Sequence, residues 1–140
     1  GPRQNPYSQY AAVIPKFFDQ CFQNTSITIN GDGNQTRDFT YIDNVIQFNL
    51  KALNAPDEAT NRVYNVGCGE QISVLNLAKE ILSITNSNVG ISFNSRRDGD
   101  VQDSLAEIKL AKTHLNVEEV TYLKAGLIKT FDWFLTSVKS

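Results

Sequence analysis

At 140 residues, 41% hydrophobic and 20% charged, the chain has the length and composition of one globular domain. Thirteen basic side chains against fifteen acidic ones give a formal net charge of −2. Neither half is a basic stripe, which argues against a nucleic-acid footprint or a polybasic lipid-binding patch. There is no apolar run of eighteen residues and no signal-peptide pattern.

Ile14, Phe17, Phe18, Cys21 and Phe22 recur at helical spacing and predict a first amphipathic helix. Pro15 fits as an early helical residue, or as a kink if the helix starts near Ser8. Residues 26–30 alternate polar and apolar and read as a short strand. Gly31-Asp32-Gly33-Asn34 is turn chemistry, and residues 37–42 are a second extended piece. Asp43 reads as the N-cap of a helix running to about Leu53.

A loop over residues 54–61 leads to a strand over 62–66, closed by Gly67-Cys68-Gly69. Ser73 caps a helix with a stripe of Val74, Leu77, Ala78, Ile81 and Leu82. Val89, Ile91 and Phe93 alternate as a strand, and residues 96–103 are turn-like. Ser104 and Glu107 have the spacing of a capping box that opens a helix to about Leu115. Thr121 starts a last helix with Leu123, Leu127, Phe131 and Phe134 on one side. The expected fold class is α/β with α+β character: a small mixed sheet with about five helices. So few short strands suggest that some apolar faces are meant for a partner.

Chemistry is sparse. Cys21 and Cys68 are far apart and His114 is the single histidine, so no zinc set exists and two reduced thiols are expected. His114 reads as a surface residue on its helix. Two N-glycosylation patterns, at Asn24 and Asn34, read as chance in a chain without a secretory signal. Gly67-Cys68-Gly69 has isoleucine at 72, where a dinucleotide loop needs its third glycine, so it reads as a turn. No Tyr-x-x-x-Lys and no Ser-His-Asp set occurs, and no catalytic or metal-ligating residue is assigned. Arg37, after the glycine turn, and Arg96-Arg97-Asp98-Gly99-Asp100 have the groups to grip a diphosphate and ribose hydroxyls. Each standing alone reads more readily as a plain turn or a self-neutralising loop, with Arg37 paired to Asp38 or solvent.

Several segments in fixed order carry more weight. They are Gly1-Pro2-Arg3-Gln4-Asn5-Pro6, Ala11-Ala12-Val13-Ile14-Pro15-Lys16, Gly31-Asp32-Gly33 with Arg37-Asp38-Phe39-Thr40-Tyr41-Ile42-Asp43-Asn44-Val45, Val63-Tyr64-Asn65-Val66-Gly67, and Arg97-Asp98-Gly99-Asp100-Val101. Together they resemble the C-terminal part of extended short-chain dehydrogenase/reductases acting on nucleotide sugars. Within these the resemblance is strongest to bacterial UDP-N-acetylglucosamine 4-epimerases and their uronic-acid relatives.

The resemblance implies that residues 1–140 are a substrate-binding C-terminal lobe. The NAD-binding Rossmann domain, with the catalytic Tyr-x-x-x-Lys, would lie upstream, and the lack of any methionine fits that placement. It implies a UDP-sugar ligand, UDP-N-acetylglucosamine or UDP-N-acetylgalactosamine, in surface polysaccharide precursor synthesis in the cytoplasm. NAD would serve the full-length enzyme, with none bound to this piece, which by itself would be inactive. By resemblance, Arg37 and Arg97 would hold the diphosphate and Asp100 the ribose. Thr28 and Asn30 would lie along the uracil, with Val13 and Ile14 near it. Gln4, Ala12 and Ser104 would surround the sugar, and a small residue at 104 would admit an N-acetyl group. Gln102 and Asp103 stand where relatives carry a basic pair, which disfavours a uronic acid. The alternatives are a nucleotide-sugar dehydratase or decarboxylase, or a stand-alone nucleotide-sugar-binding module. Faces meant for the missing half would drive a homodimer or swapped assembly.

Overall fold

The computed structural model describes residues 1–4 and 12–137. Five helices and four short strands follow in the order α1 (Val13–Phe22), β1 (Ile27–Asn30), β2 (Thr36–Arg37), α2 (Ile42–Leu53), β3 (Ile72–Ser73), α3 (Val74–Thr85), β4 (Ile91–Asn94), α4 (Lys109–His114) and α5 (Leu123–Ser137). A 3-10 turn, Asp57–Ala59, interrupts the loop after α2. This is the mixed α/β architecture expected. The strands form two separate pairs: β1 runs parallel to β4, with Ile27 opposite Ile91, and β2 runs antiparallel to β3, with Arg37 opposite Ile72.

The period of two in β1 organises the molecule. Ile27 and Ile29 point into the core, while Thr28 and Asn30 are half-buried on the other face. Against the isoleucines pack the stripes of three helices: Phe17 and Phe18 of α1, Leu77, Ala78 and Ile81 of α3, and Leu127 and Phe134 of α5. Phe18 is fully buried, with its ring 5.4 Å from that of Phe134 and 5.9 Å from that of Phe131. A second cluster gathers Phe48 of α2 with Ala111, Leu115 and Val117 around α4. Ser73 caps α3 as expected, its hydroxyl accepting from the Asn76 N–H at 3.1 Å. A start of the first helix near Ser8 falls in residues 5–11, outside the described residues.

Five local expectations are corrected. Residues 62–66 are irregular, because no strand among the described residues lies beside them. Val63 is 93% exposed there, and Tyr64 turns in to donate to the Ala59 carbonyl at 2.8 Å. His114 is half-buried, not a surface group: its Nδ1 lies 3.1 Å from the same Tyr64 hydroxyl. Of the second extended piece, residues 37–42, only Arg37 is strand, with Thr36 before it, and Ile42 already opens α2. The N-cap of α2 is Tyr41, and Asp43 sits inside the first turn, 3.3 Å from Lys129 of α5. The Ser104–Glu107 box does not form, and α4 begins at Lys109. The N–H groups that such a helix start would use are already engaged, Ser104 with the Thr36 carbonyl and Ala106 with the Asp38 carboxylate.

Helix α2 is apolar on both faces. Asn44 and Phe48 are buried, while Ile42, Val45, Ile46, Leu50 and Leu53 are exposed, Leu53 at 81%. Phe18→Ala is expected to cost about 3–5 kcal/mol in chemical denaturation, through lost burial and the cavity left behind. Ile46→Lys with Leu50→Lys is expected to leave stability within about 1 kcal/mol. Sedimentation of the same double variant reads whether the α2 face drives association; unchanged association would place the contact elsewhere.

Candidate functional site

Along one side of β1 runs an open groove of about 260 Å³. Its floor is Thr28 and Asn30, one wall is Ala12, Val13, Lys16 and Phe17 at the start of α1, and the other is Arg37, Arg97 and Asp100. The Gly31-Asp32-Gly33 turn delivers Arg37 to this wall. Both glycines have positive φ, 83° and 81°, which a side chain rarely adopts, and Asp32 accepts from the Asn34 N–H at 2.9 Å to close the turn. The turn also packs on α3: a Cβ on Gly33 would lie 3.0 Å from that of Leu75.

The arginines are held in place. Arg37 donates through Nη2 to Asp100 Oδ1 at 2.5 Å and through Nη1 to its neighbour Thr36's carbonyl at 2.6 Å. Arg37 therefore pairs with Asp100, not with Asp38 as the sequence suggested. With the Asn30 amide turned so that its oxygen faces Arg97, that oxygen accepts from Nε at 3.0 Å and Nη2 at 3.3 Å. Buried Gln35 braces this corner, donating to the Asn30 carbonyl at 2.6 Å. Arg96 points elsewhere, with Nη2 on the Asp100 carbonyl at 2.9 Å. The result is a polar slot with fixed guanidinium donors, the geometry that suits phosphate oxygens.

Seven of the residues singled out from the sequence meet here: Ala12, Val13, Thr28, Asn30, Arg37, Arg97 and Asp100. Ile14 does not; it lines a crevice with Phe39, Tyr41 and Leu127. Ser104 lies in a neighbouring hollow with Asp38, Thr40 and Asn65. Gln4 is exposed and lines none of these three. Sequence reasoning missed Lys16 and Gln35. Lys16 was detectable, because it stands three residues after Val13 and so shares its side of α1. Gln102 and Asp103 stay out of the groove. The Gln102 carbonyl accepts from the Thr36 N–H, and the Asp103 carboxylate from the Thr36 hydroxyl and Gln71.

Asp38, next to Arg37, turns the opposite way. Its Oδ1 accepts from the Cys68 N–H at 2.9 Å, and its Oδ2 from the Gly69 and Ala106 N–H groups at 3.0 and 3.3 Å. Gly67 has to be glycine for this: a Cβ there would come within 2.5 Å of Asp38 Oδ2. The Gly67-Cys68-Gly69 turn was the one glycine pattern that could have cradled a dinucleotide. The Cys68 and Gly69 N–H groups are committed to Asp38, so these residues do not fit the NAD pyrophosphate. Cys68 is buried, its Sγ against the Phe39 carbonyl and the Asn44 amide. Burial first, and the Asp38 carboxylate next, push its thiol above the ordinary value, so it is an inert core group.

Residues 1–67 match the model of the NAD dependent epimerase/dehydratase family. A putative UDP-glucose 4-epimerase of Methanocaldococcus jannaschii is 35% identical over 95% of this chain and 42% of its own length. The crystal structure of a UDP-glucose 4-epimerase from Thermotoga maritima, solved with UDP-glucose, superposes with a TM-score of 0.91 at 33% identity, over 99% of this chain and 43% of that one. A UDP-N-acetylglucosamine 4-epimerase from Methanobrevibacter ruminantium, in complex with UDP-N-acetylmuramic acid, gives 0.88 at 32% identity, over 98% and 43%. The chain thus spans less than half the length of these three proteins.

Asp38→Asn replaces one of two accepting oxygens with an NH₂ that faces backbone donors, and is expected to cost about 1–3 kcal/mol. The raised Cys68 thiol gives a pH signature. A group that folds in its protonated form contributes fully below its unfolded value of about 8.5, and that contribution is lost as pH rises through the higher folded value. The unfolding midpoint should therefore fall from about pH 8.5 upward, and Cys68→Ala should flatten part of that decline.

Proposed function

We propose that this chain, related in sequence and fold to the UDP-sugar epimerases of the NAD dependent epimerase/dehydratase family, is the UDP-sugar-binding lobe of a nucleotide-sugar 4-epimerase. The observation that carries this reading is the convergence of Arg37, Arg97 and Asp100, from distant parts of the chain, on the strand face that bears Thr28 and Asn30. In this reading the two guanidiniums take the diphosphate. Asp100, held by Arg37 through one oxygen, offers the other to a ribose hydroxyl. Thr28 and Asn30 flank the base beside Val13. The sugar extends past Ala12 toward the hollow at Ser104, where a small exposed side chain leaves room for an N-acetyl group. UDP-N-acetylglucosamine and UDP-N-acetylgalactosamine are therefore the proposed ligands.

NAD and the groups that would move a proton and hydride at the sugar belong, in this reading, to a Rossmann domain outside residues 1–140. Two observations support that division. The chain spans 42–43% of the length of the relatives above, and α2 together with residues 62–66 offers an apolar, unpaired flank of the kind a neighbouring domain covers. This piece is therefore expected to bind nucleotide sugar weakly and to turn nothing over.

Calorimetric titration of the chain with UDP-N-acetylglucosamine tests the assignment. Arg97→Ala should weaken binding by about 1.5–3 kcal/mol, the worth of hydrogen bonds to a charged group, while the fold is retained by circular dichroism. Equal affinity for the variant and the parent contradicts the placement of the diphosphate.

A further inference from the structure

We propose that Lys16 is a third phosphate-directed cation of the groove, which brings the groove's charge to that of a nucleotide-diphosphate ester. The inference rests on the nucleotide-sugar reading above and deepens it. Lys16 stands in the first half of α1, half-buried, on the wall shared with Val13 and Phe17. The ion pairs among the described residues are Arg37–Asp100 and Lys129–Asp43, so no carboxylate there takes up the Lys16 charge. A surface lysine without a partner is ordinary. A half-buried one lining a slot that already holds two arginines is not, because it adds to the positive potential that draws an anion into the slot.

The charge count decides the kind of anion. Lys16, Arg37 and Arg97 contribute three positive charges and Asp100 one negative, which leaves two positive. A diphosphate esterified at both ends, as in a nucleotide sugar, carries one negative charge on each phosphorus and so two in all. Without Lys16 the groove would offset half of that. The division of labour follows side-chain chemistry. The planar guanidiniums, fixed by Asp100 and Asn30, set the orientation of the phosphates. The lysine, a compact charge on a flexible stem, neutralises without dictating geometry.

The test is an NMR titration of the chain and of its Lys16→Met and Lys16→Arg variants with UDP-glucose and with uridine, at 20 and 200 mM salt. The proposal predicts that Lys16→Met weakens UDP-glucose binding about tenfold, leaves uridine binding unchanged and lowers the salt dependence for UDP-glucose. Lys16→Arg should recover most of the affinity. An equal loss for uridine would assign Lys16 to the base and overturn the phosphate role. Parent-like UDP-glucose affinity in Lys16→Met, with the parent binding well, would overturn this inference alone. Failure of the parent chain to bind UDP-glucose at all would overturn the nucleotide-sugar reading and this inference with it.

Discussion

The structure depends on one carboxylate. Asp38 takes three backbone N–H groups from two segments, the Gly67-Cys68-Gly69 turn and the stretch through Ala106, and ties both to the end of β2. Each of those segments lacks regular structure of its own, so its backbone groups need partners from elsewhere. An anion that collects several N–H groups at once supplies them more strongly than neutral acceptors would. The consequence reaches beyond Asp38: residues 104–106 are held in irregular backbone, with α4 starting only at Lys109, and the Cys68 thiol is pinned in the core beside buried Asn44. Asn44 in turn joins α2 to the start of α5 through both Thr121 backbone groups, at 2.7 and 2.9 Å.

Asp38, just past the end of β2, reaches the Cys68, Gly69 and Ala106 N–H groups, while Arg37, the last residue of the strand, reaches Asp100. On β1 the alternation buries Ile27 and Ile29 in the core and leaves Thr28 and Asn30 half-buried in the groove, which Ile29 also edges. The groove thus abuts the core, whose Phe17, Ile29 and Val74 line part of it, and its side chains stand on packed elements. Arg37 and Arg97 already have partners in Asp100 and Asn30, so a ligand finds the guanidiniums oriented and need not order them. That arrangement suits a doubly charged, extended ligand better than a single small anion.

How much of this could be read from sequence varies with the range of the interaction. The helices α1, α3 and α5 were legible because each carries its own apolar stripe, and β1 because Ile27 and Ile29 alternate with polar neighbours. Residues 62–66 carry a strand-like pattern too, yet they stay irregular, since a strand needs a partner and none stands beside them among the described residues. Ser104 and Glu107 have the spacing of a capping box, but tertiary bonds to Thr36 and Asp38 win over that local preference. The groove was not legible from spacing alone. Arg37 beside Asp38 looks like a self-neutralising pair, whereas each reaches a partner some thirty or more positions away. What placed Arg37, Arg97 and Asp100 together in advance was the resemblance of several segments in fixed order.

The central claim is that Arg37 and Arg97 together form a diphosphate site on the outer face of β1. A crystal structure of the chain with UDP-N-acetylglucosamine tests it most directly. The account predicts the two phosphates between Arg37 and Arg97, with the base over Thr28 and Asn30. Phosphates seated at any other surface, with the Arg37–Asp100 wall bare of ligand, would contradict it.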